Sequence, residues 1–169
     1  MLILGLDPGT ATTGFGLIKK EGKKITSLDF GLIETDKEIS SPQRLILIHK
    51  EIKKIINKHK PDVVAMERLF FAANAKTAMD VGRACGIMIF TAAKANLEVF
   101  EYAPMTIKKV VAGNGKADKK MVQKALRKIL GARVRSKKNG KTHFDNAADA
   151  LAVALCHAYT IKVDKGGEK

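Results

Sequence analysis

The chain has 169 residues, which at about 150 residues per domain argues for one domain with one core, expected over 1–163 with a disordered tail over 164–169. Its 46% hydrophobic and 28% charged residues and only 4 Pro exclude a disordered or low-complexity chain. The 31 Lys and Arg against 17 Asp and Glu give a net charge of +14, and 13 of the basic residues, with one acid, fall between Lys108 and Lys141. A patch so segregated points to a polyanionic partner, nucleic acid first, because a merely heat-tolerant surface mixes Lys with Glu. No run approaches the ~18 apolar residues of a membrane span, and the opening MLILGLDPGT has no basic stretch ahead of its apolar one, so a cytoplasmic protein without a membrane partner is expected. Cys85 and Cys156 lack metal-ligand spacing and are expected to be buried thiols.

In chain order, Leu2 to Leu6 is a nearly continuous apolar run, as in a buried strand, and it delivers Asp7 at its end. Thr13 to Lys19 and Ile25 to Glu34 alternate with period two and predict two more strands around a turn at Gly22. Ser41 as N-cap and Pro42 as first helical residue open a helix with Leu45, Ile48, Ile52 and Ile55 on one face, ending near Pro61. Asp62 to Glu67 is a fourth strand that again ends in a carboxylate. Asn74 to Asn96 predicts a long helix whose Gly82 and Gly86 would permit close packing against another backbone. Leu97 to Tyr102 is a fifth strand and Pro104 to Val111 a short helix. Met121, Val122, Ala125, Leu126 and Ile129 form an amphipathic stripe between Asp118 and Leu130. After a basic loop, Arg133 to Thr142, a last helix runs from about Phe144 to Ile161. This order predicts an α/β fold with a mixed five-stranded sheet flanked by helices, and it matches the RNase H-like fold.

Chemistry concentrates in three acids. Asp7 and Glu67 end strands, and the last helix opens with Asp145-Asn146-Ala147-Ala148-Asp149, where positions three and four apart share a face. Asp149 precedes an apolar run, so an unpaired charge there would be expensive, and a divalent cation would offset it. Converging carboxylates suit Mg²⁺ or Mn²⁺, the ions of in-line displacement at phosphorus. Taken singly the acids have ordinary explanations: Asp-Pro-Gly at Asp7 is a common turn, Glu67 has Arg68 and many lysines to pair with, and His143 suits a helix entry.

The opening Leu4-Gly5-Leu6-Asp7-Pro8-Gly9-Thr10, the run Glu67-Arg68-Leu69-Phe70-Phe71 followed by Asn74, the segment Tyr102 to Gly115, and Ala147-Ala148-Asp149-Ala150-Leu151-Ala152 resemble the RuvC family of bacterial Holliday junction resolvases. The resemblance spans nearly the whole chain in order. It implies an RNase H-like homodimer that nicks two opposed strands of a four-way DNA junction symmetrically in recombination and repair. It also implies Mg²⁺, with Mn²⁺ able to substitute, two ions per site, held by Asp7, Glu67, position 146 and Asp149. The branch-migration helicase complex RuvAB is the implied protein partner. Lys108 and Lys119 match the family's basic residues nearest the active site, Phe70 matches its base-stacking ring, and Phe71, Asn74 and Arg83 are further DNA-contact candidates. One of the two phenylalanines is expected to be buried.

Two positions depart from the family pattern. Cys85 stands where the family usually has Arg, and Asn146 stands where it has Asp or His. An amide is a near-isostere of a carboxylate but a weaker, neutral ligand, so cleavage by this chain is expected to be impaired. Three explanations are open: a substitution made to trap substrate, a natural enzyme that works with Asn, or Asp145 replacing it through a shifted helix start.

Rival functions are weaker. An actin-like phosphotransferase shares Gly5-Leu6-Asp7-Pro8-Gly9-Thr10 but needs a second domain. A RuvC-like nuclease of RNA processing shares the Asp-x-Gly start but lacks the Phe70-Phe71 and Asn74 pattern. A non-catalytic DNA-architectural protein predicts binding with no dependence on metal.

Overall fold

The computed structural model describes residues 1–68, 75–131 and 143–161, with 75–77 and 143–146 described as backbone only. Five strands form one sheet in the order β3-β2-β1-β4-β5: β1 (Leu2–Asp7), β2 (Thr12–Glu21), β3 (Lys24–Glu34), β4 (Val63–Glu67) and β5 (Glu98–Tyr102). The first three pair antiparallel, as short turns allow, whereas β4 lies parallel to β1 and β5 parallel to β4 because helices carry the chain back between them. The predicted RNase H-like α/β architecture, with its mixed sheet, is the one observed.

Alternation along the strands sorts two cores. Leu4, Leu6, Leu17, Val64 and Met66 face α1 (Ser41–His59) and α2 (Ala75–Lys94), where Ile48, Ile52, Ala84, Met88 and Ala92 are buried. Ile3, Ile18 and Ala65 face the other layer, made by α3 (Pro104–Ala112), α4 (Lys119–Leu130) and α5 (His143–Thr160). Asp7 has the parity of Ile3, and Glu67 that of Ala65, so period two alone sends both strand-end acids toward α5.

Helix α5 lies unusually close to the sheet. Gly5 and Gly16 are cross-strand partners. A Cβ on Gly5 would stand 2.0 Å from the Ala150 carbonyl oxygen, and one on Gly16 would stand 2.7 Å from a Leu151 methyl. The helix answers with buried Ala147, Ala148, Ala150, Ala152, Ala154 and Ala158, so small residues on both sides of the contact set its depth. The Lys20 ammonium donates to the Ala158 carbonyl near the helix end.

Several local expectations shift. Ser40, not Ser41, caps α1: its backbone N–H and its hydroxyl both donate to Gln43 Oε1 at 3.0 Å, and Pro42 takes the second helical position, where its missing N–H is equally harmless. Ile56 rather than Ile55 completes the fully buried row, and on α4 the buried seam is Val122, Leu126 and Leu130, leaving Met121 exposed. Among the described residues nothing packs closely at Gly82 and Gly86, where a Cβ would meet nothing within 4 Å, so both remain open to another backbone. Cys85 and Cys156 are buried and free, as expected. Among the described residues no helix is long and apolar enough to cross a membrane. The basic loop and the tail lie outside the described residues.

Candidate active site

The two central parallel strands, β1 and β4, end side by side, presenting Asp7 and Glu67 to α5. There Asp149, immediately before Ala150, is brought in by the Gly5 contact. The electrostatics record this convergence. Burial, then repulsion from Asp149 and Glu67, pushes the Asp7 carboxyl from its ordinary 3.8 up to about 7, against the pull of the Lys119 ammonium. Burial, then Asp149, also raises the Glu67 carboxyl, with Lys108 opposing.

Asp149 is not the unpaired charge that its apolar helix suggests. Lys119, the first residue of α4, places Nζ 3.2 Å from Asp149 Oδ2, with both side chains more than a third exposed. Such a pair is worth about 0–1 kcal/mol, so it is easily exchanged for other partners. Glu67, Asp149, Lys108 and Lys119 line a cleft of about 120 Å³ floored by Ile107 and Ala152. A larger cavity of about 200 Å³ lies on the opposite face between α1 and α2, around His49, Lys53 and Lys94, away from the carboxylates.

The donor set fits a hard divalent cation: three carboxylates share a partly buried site whose mutual repulsion only added positive charge can relieve. They do not close on one point by themselves, since among the described residues no three Asp, Glu, His or Cys side chains are gathered as a ready metal cage.

The remaining sequence candidates are distributed differently. Asn146 lies in the first turn of α5, one turn before Asp149, and its side chain is outside the described ones. Phe70, Phe71 and Asn74 fall outside the described residues. Arg83 is on α2, across the sheet from the cleft, and pairs with Asp80 at 3.1 Å. Sequence reasoning missed the Gly5–Gly16 seat of α5 and the Lys119–Asp149 pair, both of which depend on which distant segments meet.

Comparison with known proteins identifies the family and the fold. The family model described as crossover junction endodeoxyribonuclease RuvC matches residues 3–157. A relative of that name from Alkaliphilus oremlandii is 44% identical over 160 residues, covering 95% of this chain and 94% of its own. Another from Desulfitobacterium hafniense is 42% identical over 163 residues, covering 96% and 95%. Among solved structures, Thermus thermophilus RuvC in complex with a Holliday junction substrate superposes with a TM-score of 0.83 at 32% identity, covering 94% of this chain and 93% of that one. The yeast mitochondrial Holliday junction resolvase Ydc2, at 16% identity and a TM-score of 0.69 over 92% of this chain and 77% of its own, shares the fold.

Proposed function

The chain belongs to the RuvC family of crossover junction endodeoxyribonucleases, and on that premise we propose that it resolves four-way DNA junctions by nicking two opposed strands symmetrically, in recombination and repair. The observation that carries this reading is the meeting of Asp7, Glu67 and Asp149 beside a cleft rimmed by Lys108 and Lys119. Carboxylates and ammonium groups so juxtaposed serve a cation and a phosphodiester in one place.

Asp7, Glu67 and Asp149, with position 146, would hold the divalent cations, Mg²⁺ or Mn²⁺ and two per site. Bound there, such ions supply charge neutralisation at the phosphate and a water of lowered pKa. Asp7 must be ionised to serve as a ligand, and in the metal-free protein it holds its proton up to about pH 7. Lys108 and Lys119 bind backbone phosphates, and Lys119 can leave Asp149 at little cost to do so.

A homodimer suits a substrate that can itself be two-fold symmetric. The exposed face of α2, with Met79 60% and Phe90 52% exposed around the open Gly82 and Gly86, supports that assignment. The protein acts as a single domain in the cytoplasm, alongside RuvAB. Asn74, Phe70 and Phe71 are assigned to DNA contact, with Phe70 stacking on an unpaired base; Arg83, across the sheet from the cleft, could reach DNA only from the α2 face.

Titration of Mg²⁺ into a cleavage assay, with linear duplex as control, tests the whole. Cleavage confined to junctions and absent without metal is expected. Metal-independent binding with no cleavage, even by the Asn146→Asp variant, would leave a DNA-architectural protein. Preference for structured RNA would leave the RNA-processing nuclease.

Junction affinity should fall steeply with salt, log K decreasing by about 0.7 to 0.9 per phosphate neutralised. The Lys108→Ala, Lys119→Ala double variant should lower that slope by roughly two. An unchanged slope and affinity would place the DNA on another face.

Phe70→Ala should impair cleavage while leaving melting unchanged, since a base-stacking ring is worth about 1 to 3 kcal/mol to the complex. A loss of about 3 to 5 kcal/mol of folding stability in the same variant would instead make the ring part of the core.

A further inference from the structure

Tyr102 ends β5, and it is tied into the site on two sides. Its Cα is the register partner of Glu67, and its carbonyl accepts from the Arg68 N–H at 2.8 Å, so its backbone holds the end of β4 where that acid stands. Its side chain crosses to α5. The hydroxyl is 2.7 Å from His157 Nδ1 and 3.1 Å from Thr160 Oγ1, which in turn reaches the Cys156 carbonyl at 2.9 Å. His157 is fully buried, with Phe100 of β5 at a ring separation of 4.5 Å and Tyr102 edge-on at 5.9 Å.

The Thr160 hydroxyl stands within donating reach of both the Tyr102 oxygen and the Cys156 carbonyl, and the Tyr102 oxygen and His157 Nδ1 share one proton between them. Among the described residues the other ring nitrogen, Nε2, is buried without a partner, so the ring is held through Nδ1. A polar chain running from the buried His157 through the half-buried Tyr102 to the exposed helix end at Thr160 specifies one arrangement of β5 against α5.

That arrangement matters here because β5 is an edge strand, paired among the described residues with β4 alone. Two residues beyond Tyr102, α3 begins and carries Lys108 into the cleft. Asp149 sits on the same α5 that supplies His157 and Thr160. The Tyr102 side chain is thus a cross-tie between the strand ends that present Glu67 and the helix that presents Asp149.

We propose that Tyr102, clamped by His157 and Thr160, is a positioning residue that fixes the Glu67 strand end against Asp149 and so sets the affinity of the carboxylate cluster for its divalent cation. This rests on the carboxylate site of the proposed function. The test is Mn²⁺ binding to the full chain in solution, followed by electron paramagnetic resonance of free Mn²⁺, together with the Mg²⁺ dependence of cleavage. Four variants are compared with the unaltered protein: Tyr102→Phe, Thr160→Val, Asp149→Asn and Ile52→Val. The last is a core change on the other face of the sheet that controls for general destabilisation.

Tyr102→Phe should raise the half-saturating concentration of Mn²⁺ and of Mg²⁺ about three- to tenfold, with junction affinity in metal-free buffer unchanged. Thr160→Val, at an exposed helix end where the fold is not at risk, should move both in the same direction by less, and Ile52→Val should move neither. Midpoints unchanged in both Tyr102→Phe and Thr160→Val, or raised as much in Ile52→Val, would overturn the clamp and leave the site standing. Mn²⁺ binding unaltered by Asp149→Asn would overturn the site and the clamp together.

Discussion

Asn146→Asp should raise the rate of junction cleavage at saturating Mg²⁺ about a hundredfold or more without tightening junction binding. Position 146 is one turn before Asp149 on α5, the spacing that puts two side chains on one helix face. An amide oxygen carries no charge, so it offsets less of a cation's charge than a carboxylate and is the poorer ligand. A hundredfold in rate corresponds to about 3 kcal/mol of barrier, a reasonable magnitude for one anionic ligand at a phosphoryl-transfer site. The new charge would join a cluster already strained by repulsion, so the variant's melting temperature in chelator should fall and recover on adding Mg²⁺. Single-turnover cleavage measured on both proteins decides the matter. Equal rates would reject this role for position 146 and move the fourth ligand to Asp145 or His143.

Asp7→Asn should abolish cleavage, by a factor of roughly a thousand or more, and at the same time stabilise the metal-free protein. The unfolded carboxyl titrates at its ordinary 3.8 and the folded one at about 7, because burial and the neighbouring Asp149 and Glu67 disfavour its charge. Between those pH values the folded state binds the extra proton, so this group's contribution to stability declines as pH rises through the window. Above it the ionised Asp7 costs the metal-free fold at most roughly 4 kcal/mol, which the neutral amide avoids. With allowance for relaxation of the site, a gain of about 1–3 kcal/mol is expected, or about 3–10 °C in melting temperature. Scanning calorimetry in chelator should show the gap at pH 8 and its narrowing toward pH 4, where the folded carboxyl is protonated and the unfolded one is about half so. An Asp7→Asn melting temperature no higher than that of the unaltered protein at pH 8 would remove Asp7 from the repulsive cluster.

Much of the site was legible because its signals are local. Leu2 to Leu6 and Asp62 to Glu67 are apolar runs closed by acids, and period-two alternation already put Asp7 on the side of Ile3 and Glu67 on the side of Ala65. The acid before the Ala- and Leu-rich stretch of α5 stood out against its apolar neighbours. The motif order over nearly the whole chain identified the family, and comparison upheld it. The one-residue error at the α1 cap arose because Ser40 and Ser41 are adjacent candidates, and the Gln43 side chain three residues after Ser40 selects the former.

Other features depended on which distant segments meet. The amphipathic stripe of α4 predicted a buried seam, but nothing within it indicated that Lys119 would stand 3.2 Å from a carboxylate 30 residues away. Gly5 and Gly16 read as ordinary strand glycines until β1 and β2 paired in a register that set them opposite one another and under Ala150 and Leu151. Tyr102, His157 and Thr160 likewise meet only because β5 takes the sheet edge and α5 crosses beneath it. By itself the sequence determined the elements, the sheet face of the strand-end acids and their chemical character, all of which follow from residue type and backbone periodicity over a few residues. Tertiary structure alone decided how deep α5 sits, which lysine neutralises Asp149 and how far Asp7 is pushed toward holding its proton, because these depend on close packing and on electrostatics through a partly buried site.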